Sequence, residues 1–291
     1  MIGPPMMPPG SGRPVIGMLV PGPVPYHHRV IQGVEQALAG VEGRLMLAFS
    51  DGDRRSQEAA VRDLIRAGAN GLILASALAG AVDPEAEADL LPRIPVPVLL
   101  VEPAVPGSAE REVVGIDHAA GGRLAARYLR VLGHRRVGLV IHSDSPAAAS
   151  VRAGFEAVLT DRRSGPVVRQ DDPTTPWDTE RADAAVAAFS AAGVTAVVCF
   201  GGKEASLLLR SARRRGLQVP RDLAVVSYDG EFADLAEVPL TDVSPPRYRL
   251  GRVAARVLFR RLGHGDAVAR RQLLIRPRLT VRDSCGAHTL S

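Results

Sequence analysis

The chain has 291 residues, of which 46% are hydrophobic but only 4% aromatic, and its formal net charge is +5. This length is comfortable for two domains, and the composition suits cores built from Val, Leu, Ile and Ala. No apolar run approaches the roughly 20 residues that a membrane-spanning helix needs, and the first residues lack the basic and apolar regions of a secretory signal. The two cysteines, Cys199 and Cys285, provide neither a disulfide framework nor a metal-ligand spacing. We therefore expect a cytoplasmic globular protein.

The positive charge is carried almost entirely by arginine, because Lys203 is the only lysine among the 36 basic residues. The arginines are scattered in short groups such as Arg135–Arg136 and Arg270–Arg271 rather than gathered in one patch. Arginine late in a helix complements the helix dipole. The basic composition therefore favours solvated helix ends over a nucleic-acid-binding face.

Strands and helices alternate along almost the whole chain, after a Pro-, Gly- and Met-rich start at residues 1–13 that is predicted to be disordered. The predicted strands are 15–20, 45–49, 71–74, 96–101, 113–116, 137–141, 196–200, 223–228, 272–275 and 279–281. The predicted helices are 26–38, 54–66, 180–189, 205–215 and 249–262, with two more that begin after Asp117 and at Pro146 behind the capping residue Ser145. This alternation predicts parallel sheets covered by helices on both faces, and the strands are too many for one sheet of this length. We therefore expect two α/β lobes.

One strand–helix–strand unit is the most informative stretch of the chain. The β-branched run 113–116 ends at Asp117, and a helix with an apolar stripe follows and stops at Gly133. A second buried strand begins at Val137. The acidic residue at the strand's carboxyl end lies where open α/β sheets bind ligands.

The sequence of this unit resembles the effector-binding core of the LacI/GalR family of transcriptional regulators. In that family a strand ending in Asp, a Gly-Gly helix start and a Leu-Gly-His-Arg-Arg turn occur in the same order. Four further stretches match in order: IGMLVPGPVPY, SDGDRRSQEAAVRDLIRAGANGLIL, RGLQVPRDLAVVSYDG and VPLTDVSPPRYRLGRVAARVLFRRL. The resemblance covers about residues 14–285.

The resemblance implies a periplasmic-binding-protein-like fold of two flavodoxin-like lobes joined by three crossovers, with a ligand cleft between the lobes. The mapped ranges are 14–132 plus 245–271 for the first lobe, 133–244 plus 272–285 for the second and 286–291 for a tail. It also implies a homodimer formed mainly by the first lobe, where the apolar stretch 71–81 continues past a strand.

Regulators of this family carry some sixty residues of helix-turn-helix and hinge ahead of the core. In the chain as given, residues 1–13 are too few to form a recognition helix with its supporting helix. We therefore expect DNA to be reached only through a segment absent from this chain.

All the candidate ligand residues except Arg152, which lies within a helix, fall at or near strand or helix ends, and several also have a structural interpretation. Asp117 also suits a helix cap, Asp229 a turn with Gly230, and His27 a plain surface position. The full set is Tyr26, His27, Asp117, His142, Arg152, Gly201, Gly202, Lys203 and Asp229.

Three polar anchors of the family are replaced in this chain. Val151 stands where the family has Arg, with Arg152 about 100° further round the helix. Gly201–Gly202 replaces Asn-Asp, and Pro245 replaces Gln. These changes argue against a sugar in the usual pose, and the glycine turn with Lys203 suggests an anionic or phosphorylated ligand instead. A solvated lysine, and a cleft that binds nothing, remain open.

Nothing in the sequence predicts catalysis, a metal or a cofactor. His142, Ser143 and Asp144 are too close in sequence to form a nucleophile–base relay, and the nucleophile-elbow and dinucleotide-binding motifs are absent. We therefore predict the ligand-sensing and dimerisation core of a transcriptional regulator rather than an enzyme. The alternative is a solute-binding protein of an uptake system, which shares the two-lobe fold.

Overall fold

A computed structural model describes residues 13–21, 25–50, 53–75, 91–102, 112–143, 145–159, 167–169, 175–231, 233–264 and 269–286. The chain divides into two compact units. The first unit contains residues 1–116 and 246–275, and the second contains 117–245 and 276–291. The chain therefore passes between the units three times, as predicted.

The secondary structure of the described residues alternates as the sequence pattern indicates. In chain order the elements are β1 (Val15–Pro21), α1 (Pro25–Ala39), β2 (Arg44–Ser50), α2 (Arg54–Arg66), β3 (Gly71–Ala75), β4 (Val98–Val101), β5 (Val113–Ile116), α3 (His118–Val131), β6 (Val137–Ile141), α4 (Pro146–Glu156), β7 (Val167–Arg169), α5 (Thr179–Ala191), β8 (Ala196–Phe200), α6 (Gly202–Arg214), β9 (Ala224–Tyr228), β10 (Thr241–Ser244), α7 (Arg247–His264), β11 (Gln272–Ile275) and β12 (Arg278–Thr280). Ser145 caps α4 by accepting from the Ala148 amide at 3.2 Å, and Pro146 occupies the first helical position, as predicted.

The first unit is built on a parallel sheet with strand order β11-β5-β4-β3-β1-β2. Helices α1 and α7 cover one face, where Val34 and Leu258 pack with Ile73. Helix α2 covers the other face through Val61 and Leu64. Apolar burial on both faces is what holds a parallel sheet in water.

The second unit repeats this arrangement with strand order β12-β10-β9-β8-β6-β7, in which only β12 pairs antiparallel. Helices α3 and α4 pack on one face, where Leu129 and Phe155 meet Leu139. Helices α5 and α6 cover the other face, where Phe189 meets Val140.

The unit boundaries differ from the predicted lobes at two places. Helix α3 lies in the second unit rather than the first, because it packs against α4 and against Tyr228 of β9. Strand β11 lies in the first unit rather than the second, because it pairs with β5 in the register Gln272↔Val113. Hydrophobic periodicity shows which side of an element is buried but not which sheet it is buried against.

The apolar stretch 71–81 does not provide the predicted dimer surface in its described part. Strand β3 lies between β1 and β4, and all five of its residues are buried. Residues 76–81 lie outside the described residues. Among the helices that the structure describes, none combines the length and apolarity needed to cross a membrane.

Each unit contains one pair of helices that cross at close-packed glycines. Gly33 on α1 and Gly251 on α7 face each other's backbones, and Gly122 on α3 and Gly154 on α4 do the same. A Cβ atom on Gly251 would overlap the Val30 carbonyl oxygen. The two crossings therefore depend on the absence of side chains.

We predict that Gly251→Ala lowers the free energy of unfolding by about 1–3 kcal/mol, because the added methyl group must push α1 and α7 apart. This loss should appear although alanine favours a helix over glycine by about 1 kcal/mol. The measurement is urea denaturation. The control is Gly40→Ala, whose Cβ would meet only the Ala37 oxygen at 3.6 Å. Equal midpoints for the two variants would contradict the prediction.

Candidate functional site

The carboxyl ends of β6, β8, β9 and β10 lie at the same edge of the second sheet, because these strands are parallel. The residues that follow three of these strands are His142, Gly201 and Asp229. The structure therefore brings these predicted residues to one edge of the second sheet. Residues from the loops around this edge form what we call the second-unit site: His142, Trp177, Gly201, Glu204 and Asp229.

Asp229 adopts a left-handed backbone conformation with φ +64°. Its amide donates to the Val243 carbonyl at 3.1 Å, and the next amide, of Gly230, donates to Oδ1 of Asp242 at 2.9 Å. A left-handed non-glycine residue is strained and needs support from its surroundings. The predicted turn with Gly230 is thus present, and it holds the half-buried Asp229 at the sheet edge.

Asp242, which the sequence analysis missed, is the support of this turn. Its side chain is buried and accepts hydrogen bonds from Ser227 Oγ at 2.6 Å and from Ser244 Oγ, besides the Gly230 amide. Burial raises the pKa of the Asp242 carboxyl and the Asp229 carboxylate adds to this, whereas the three hydrogen bonds lower it. An acidic residue inside a strand of the sequence Thr-Asp-Val-Ser was the available signal.

The turn at Gly201–Lys203, where the sequence predicts an anion site, lies beside a carboxylate that the prediction did not include. Gly201 has φ +118°, and its amide donates to the Tyr228 carbonyl at 2.8 Å. A Cβ atom on Gly201 would overlap the Glu204 carboxylate, so that carboxylate lies folded back over the first turn of α6. The Lys203 side chain is exposed.

The Glu204 carboxylate argues against the predicted anion site at this turn. A helix amino end carries a partial positive charge that favours one nearby anion, and Glu204 already supplies it. A second anion at this turn would be repelled by the Glu204 carboxylate. The exposure of the Lys203 side chain favours the interpretation that Lys203 is a solvated lysine. Burial raises the pKa of the Glu204 carboxyl, and the hydrogen bond from its own amide and the nearby His142 and Lys203 act in the opposite direction.

His142 and Trp177 place two ring nitrogens at the same edge. The ring centroids are 6.2 Å apart with an interplanar angle of 42°, and Trp177 is 3% exposed. His142 Nδ1 and Trp177 Nε1 are buried and find no hydrogen-bond partner among the described residues. Because buried polar atoms are nearly always paired, these nitrogens are candidates to bind a ligand. Trp177 was missed, although the only tryptophan, directly before the α5 cap Asp178, was a usable signal.

Asp117 and Arg152 have structural partners. Asp117 Oδ1 accepts from the Ala120 amide at 2.8 Å, which confirms its predicted role as the α3 cap. Arg152 Nε donates to Glu156 Oε1 at 2.7 Å along the surface of α4. These contacts leave any ligand role of the two residues as a prediction.

Tyr26 and His27 lie in the first turn of α1 and belong to the first unit. The Tyr26 side chain lies outside the described residues. His27 is half-buried, and burial lowers its pKa, while the Glu102 carboxylate raises it and Arg247 lowers it. Within its own unit, His27 therefore faces charges of both signs.

The described residues contain no cluster of three His, Cys, Asp or Glu side chains that could hold a metal ion. Ser143 Oγ donates to Ser145 Oγ at 2.9 Å and so takes part in capping α4. Asp144 lies outside the described residues.

The chain is similar to known binding-protein domains and transcriptional regulators. Residues 126–285 match the family model of a periplasmic binding protein-like domain. The chain is 31% identical, over 93% of its length and 78% of the relative, to an uncharacterized helix-turn-helix-type transcriptional regulator in the aml 5' region of Streptomyces limosus. It is also similar to the transcriptional regulator CelR in complex with cellobiose, at 25% identity and a TM-score of 0.73 over 93% of this chain and 84% of that one. A LacI-family regulator structure from Rhizobium etli shares the fold at 17% identity, with a TM-score of 0.82 over 93% and 98% of the two chains.

We predict that Glu204→Gln stabilises the protein more at neutral pH than near pH 4.5, the ordinary pKa of glutamic acid. A carboxyl whose pKa is raised by folding keeps its proton to a higher pH in the folded state than in the unfolded state. Glu204 therefore destabilises the folded state above its folded-state pKa, and this effect disappears as the pH falls to the ordinary value. Urea denaturation across this range measures it, with the exposed Glu35→Gln as control. If the stability difference between Glu204→Gln and the wild type does not grow with pH, burial does not disfavour the charged form of the Glu204 carboxyl.

Proposed function

We propose, since the chain belongs to the LacI/GalR family of helix-turn-helix transcriptional regulators, that it is the effector-binding and dimerisation core of such a regulator. Its relatives are transcriptional regulators, so the chain is not an enzyme. The same relatives favour this function over a solute-binding protein of an uptake system. Effector binding would change DNA affinity through a coupling free energy between the effector site and the DNA-binding segment. We propose that the protein acts in the cytoplasm, where the DNA is.

The effector that the second-unit site suits is a neutral, polyhydroxylated molecule such as a sugar. The observation that carries this is the mixture of groups at one sheet edge: the carboxylates of Glu204 and Asp229 accept, and Trp177 Nε1 donates. His142 Nδ1 does either, depending on its tautomer. A sugar hydroxyl both donates and accepts, whereas an anion only accepts and would meet two carboxylates. The related regulator CelR was solved with cellobiose, which is a neutral disaccharide.

A dimer through strand β2 is supported by two exposed apolar side chains. Strand β2 is at the edge of the first sheet, and Leu47 and Phe49 on it are 41% and 53% exposed. Residues two apart in a strand share a face, so these side chains form one apolar patch. An edge strand has unpaired backbone groups, and a two-fold dimer uses the same patch of both copies, so β2 and its apolar patch suit pairing with a second copy. We therefore assign the dimer face to β2 instead of the apolar stretch 71–81.

We predict that neutral mono- and disaccharides, cellobiose among them, raise the melting temperature and that acidic metabolites do not. Trp177→Phe keeps an aromatic ring but removes the Nε1 donor, so it should weaken sugar binding by about 1–1.5 kcal/mol, roughly tenfold. Lys203→Ala alters the exposed neighbour of Glu204 and should leave the affinity for sugar unchanged. Isothermal titration calorimetry of the folded variants measures both affinities. Stabilisation by acidic metabolites that depends on Lys203 would show that the sugar proposal is wrong.

We predict that Phe49→Glu converts the dimer to a monomer at about 10 µM protein, because a charge on the apolar patch must be desolvated in the interface. Sedimentation velocity measures the change. The control is Leu235→Glu, which alters an even more exposed apolar residue, 76% exposed, in the second unit. A wild-type chain that is already monomeric, or a dimer that tolerates Phe49→Glu, would contradict the assignment.

A further inference from the structure

The chain crosses between the two units at three boundaries, which lie before residue 117, after residue 245 and before residue 276. His118, Ser244 and Pro277 are each the second residue of the second unit counted from one of these boundaries. Contacts inside the second unit connect all three to residues 228–230, which we call the β9-end segment. This segment contains Asp229 of the second-unit site and therefore connects that site with the boundaries.

Tyr228 reaches the first boundary through a buried hydrogen bond. Its hydroxyl lies 2.7 Å from Nδ1 of His118, and both side chains are buried, that of Tyr228 completely. It reaches the third boundary through Gly121, in the first turn of α3. A Cβ atom on Gly121 would lie 2.6 Å from Cε2 of Tyr228 and 3.0 Å from Cγ of Pro277, so this glycine packs against both. Because close-packed interiors have low compressibility, a small displacement of the Tyr228 ring is transmitted to these neighbours.

The second boundary is connected to the β9-end segment by the Asp242 carboxylate. Oδ1 of Asp242 accepts from the Gly230 amide at 2.9 Å, and Oδ2 accepts from Ser244 Oγ. Ser244 also pairs with Arg278 in the antiparallel β10–β12 ladder, which joins the second boundary to the third. The β9-end segment is thus connected to every boundary directly or through one intermediate residue.

On the basis of the proposed effector-binding function, we propose that Tyr228 is a positioning residue that couples effector binding at Asp229 to the boundaries of the second unit. Tyr228 acts through its neighbours, because its side chain is completely buried and its ring stacks on Phe200 with the centroids 5.5 Å apart. Asp229 holds a left-handed conformation with φ +64°, so contact with a ligand there changes the backbone that Tyr228 shares.

The coupling is reciprocal. An effector that fixes Asp229 stabilises the hydrogen bond between Tyr228 and His118, and that bond must then strengthen effector binding by the same factor. A residue with a structural role alone would lower the stability of the protein without linking these two quantities. The two factors can therefore be measured independently and compared.

Tyr228→Phe tests the coupling, because it keeps the ring and removes only the hydroxyl. With cellobiose as the probe, the Ala120 and Gly121 amides of the wild-type chain should exchange their hydrogens at least about fivefold more slowly at saturation. Tyr228→Phe should abolish this protection and weaken cellobiose binding by the same factor in isothermal titration calorimetry. The control is Tyr128→Phe on α3, which removes a hydroxyl 3.4 Å from Cys285 Sγ and should change neither quantity.

Variants of His118 test the other end of the hydrogen bond. His118→Ala should reproduce Tyr228→Phe, and the double variant should bind cellobiose no more weakly than either single variant, because both changes remove one interaction. His118→Asn places an amide near the position of Nδ1 and should restore part of the protection.

The outcomes separate this coupling from the proposed function. Cellobiose binding without protection of α3, an equal loss in Tyr128→Phe, or additive losses in the double variant would each overturn the coupling and leave the effector site intact. Absence of cellobiose binding to the wild-type chain at ~20 mM, far weaker than a specific site requires, would contradict the proposed function and the coupling together.

Discussion

In a parallel sheet every strand ends at the same edge, and the second-unit site depends on this constraint. His142, Gly201 and Asp229 are far apart in sequence and share an edge only because β6, β8 and β9 run in one direction. The backbone must then turn sharply at each strand end, which it does with φ +118° at Gly201 and φ +64° at Asp229. The second of these conformations is strained, and the buried Asp242 holds it through the Gly230 amide. The positions of the polar groups therefore follow from strand direction and are refined by one buried carboxylate.

The Gly201 turn physically links one departure from the family pattern, the glycine at 201, to the position of the Glu204 carboxylate. The Glu204 carboxylate lies where a side chain at position 201 would have to begin. Only glycine at 201 leaves room for that carboxylate to fold back over the amino end of α6. The loss of a polar side chain at 201 and the presence of an acceptor at 204 thus form one rearrangement, and it changes the local charge from what Lys203 alone suggests.

The sequence predicted correctly those features of the fold that depend on residues close together in the chain. The apolar stripe of α3, its end at Gly133 with φ +90° and the cap at Ser145 are local, and the structure confirms them. The features that it missed depend on contacts between distant residues. Helix α3 was assigned to the wrong lobe because periodicity does not identify the partner sheet, and Trp177 and Asp242 were missed because their neighbours come from other loops and strands.

At the helix crossing of Gly122 and Gly154, α4 has a buried apolar residue where the resembling family has arginine. Val151 is fully buried in the core, and its carbonyl oxygen lies against Gly122 of α3. The next residue, Arg152, is about 100° further round the helix and reaches Glu156 on the surface. An apolar side chain at 151 therefore completes the packing of two helices that approach at backbone distance. Since α4 contributes packing at this position, the proposed recognition of an effector by the second unit relies on the ring nitrogens and carboxylates at the sheet edge.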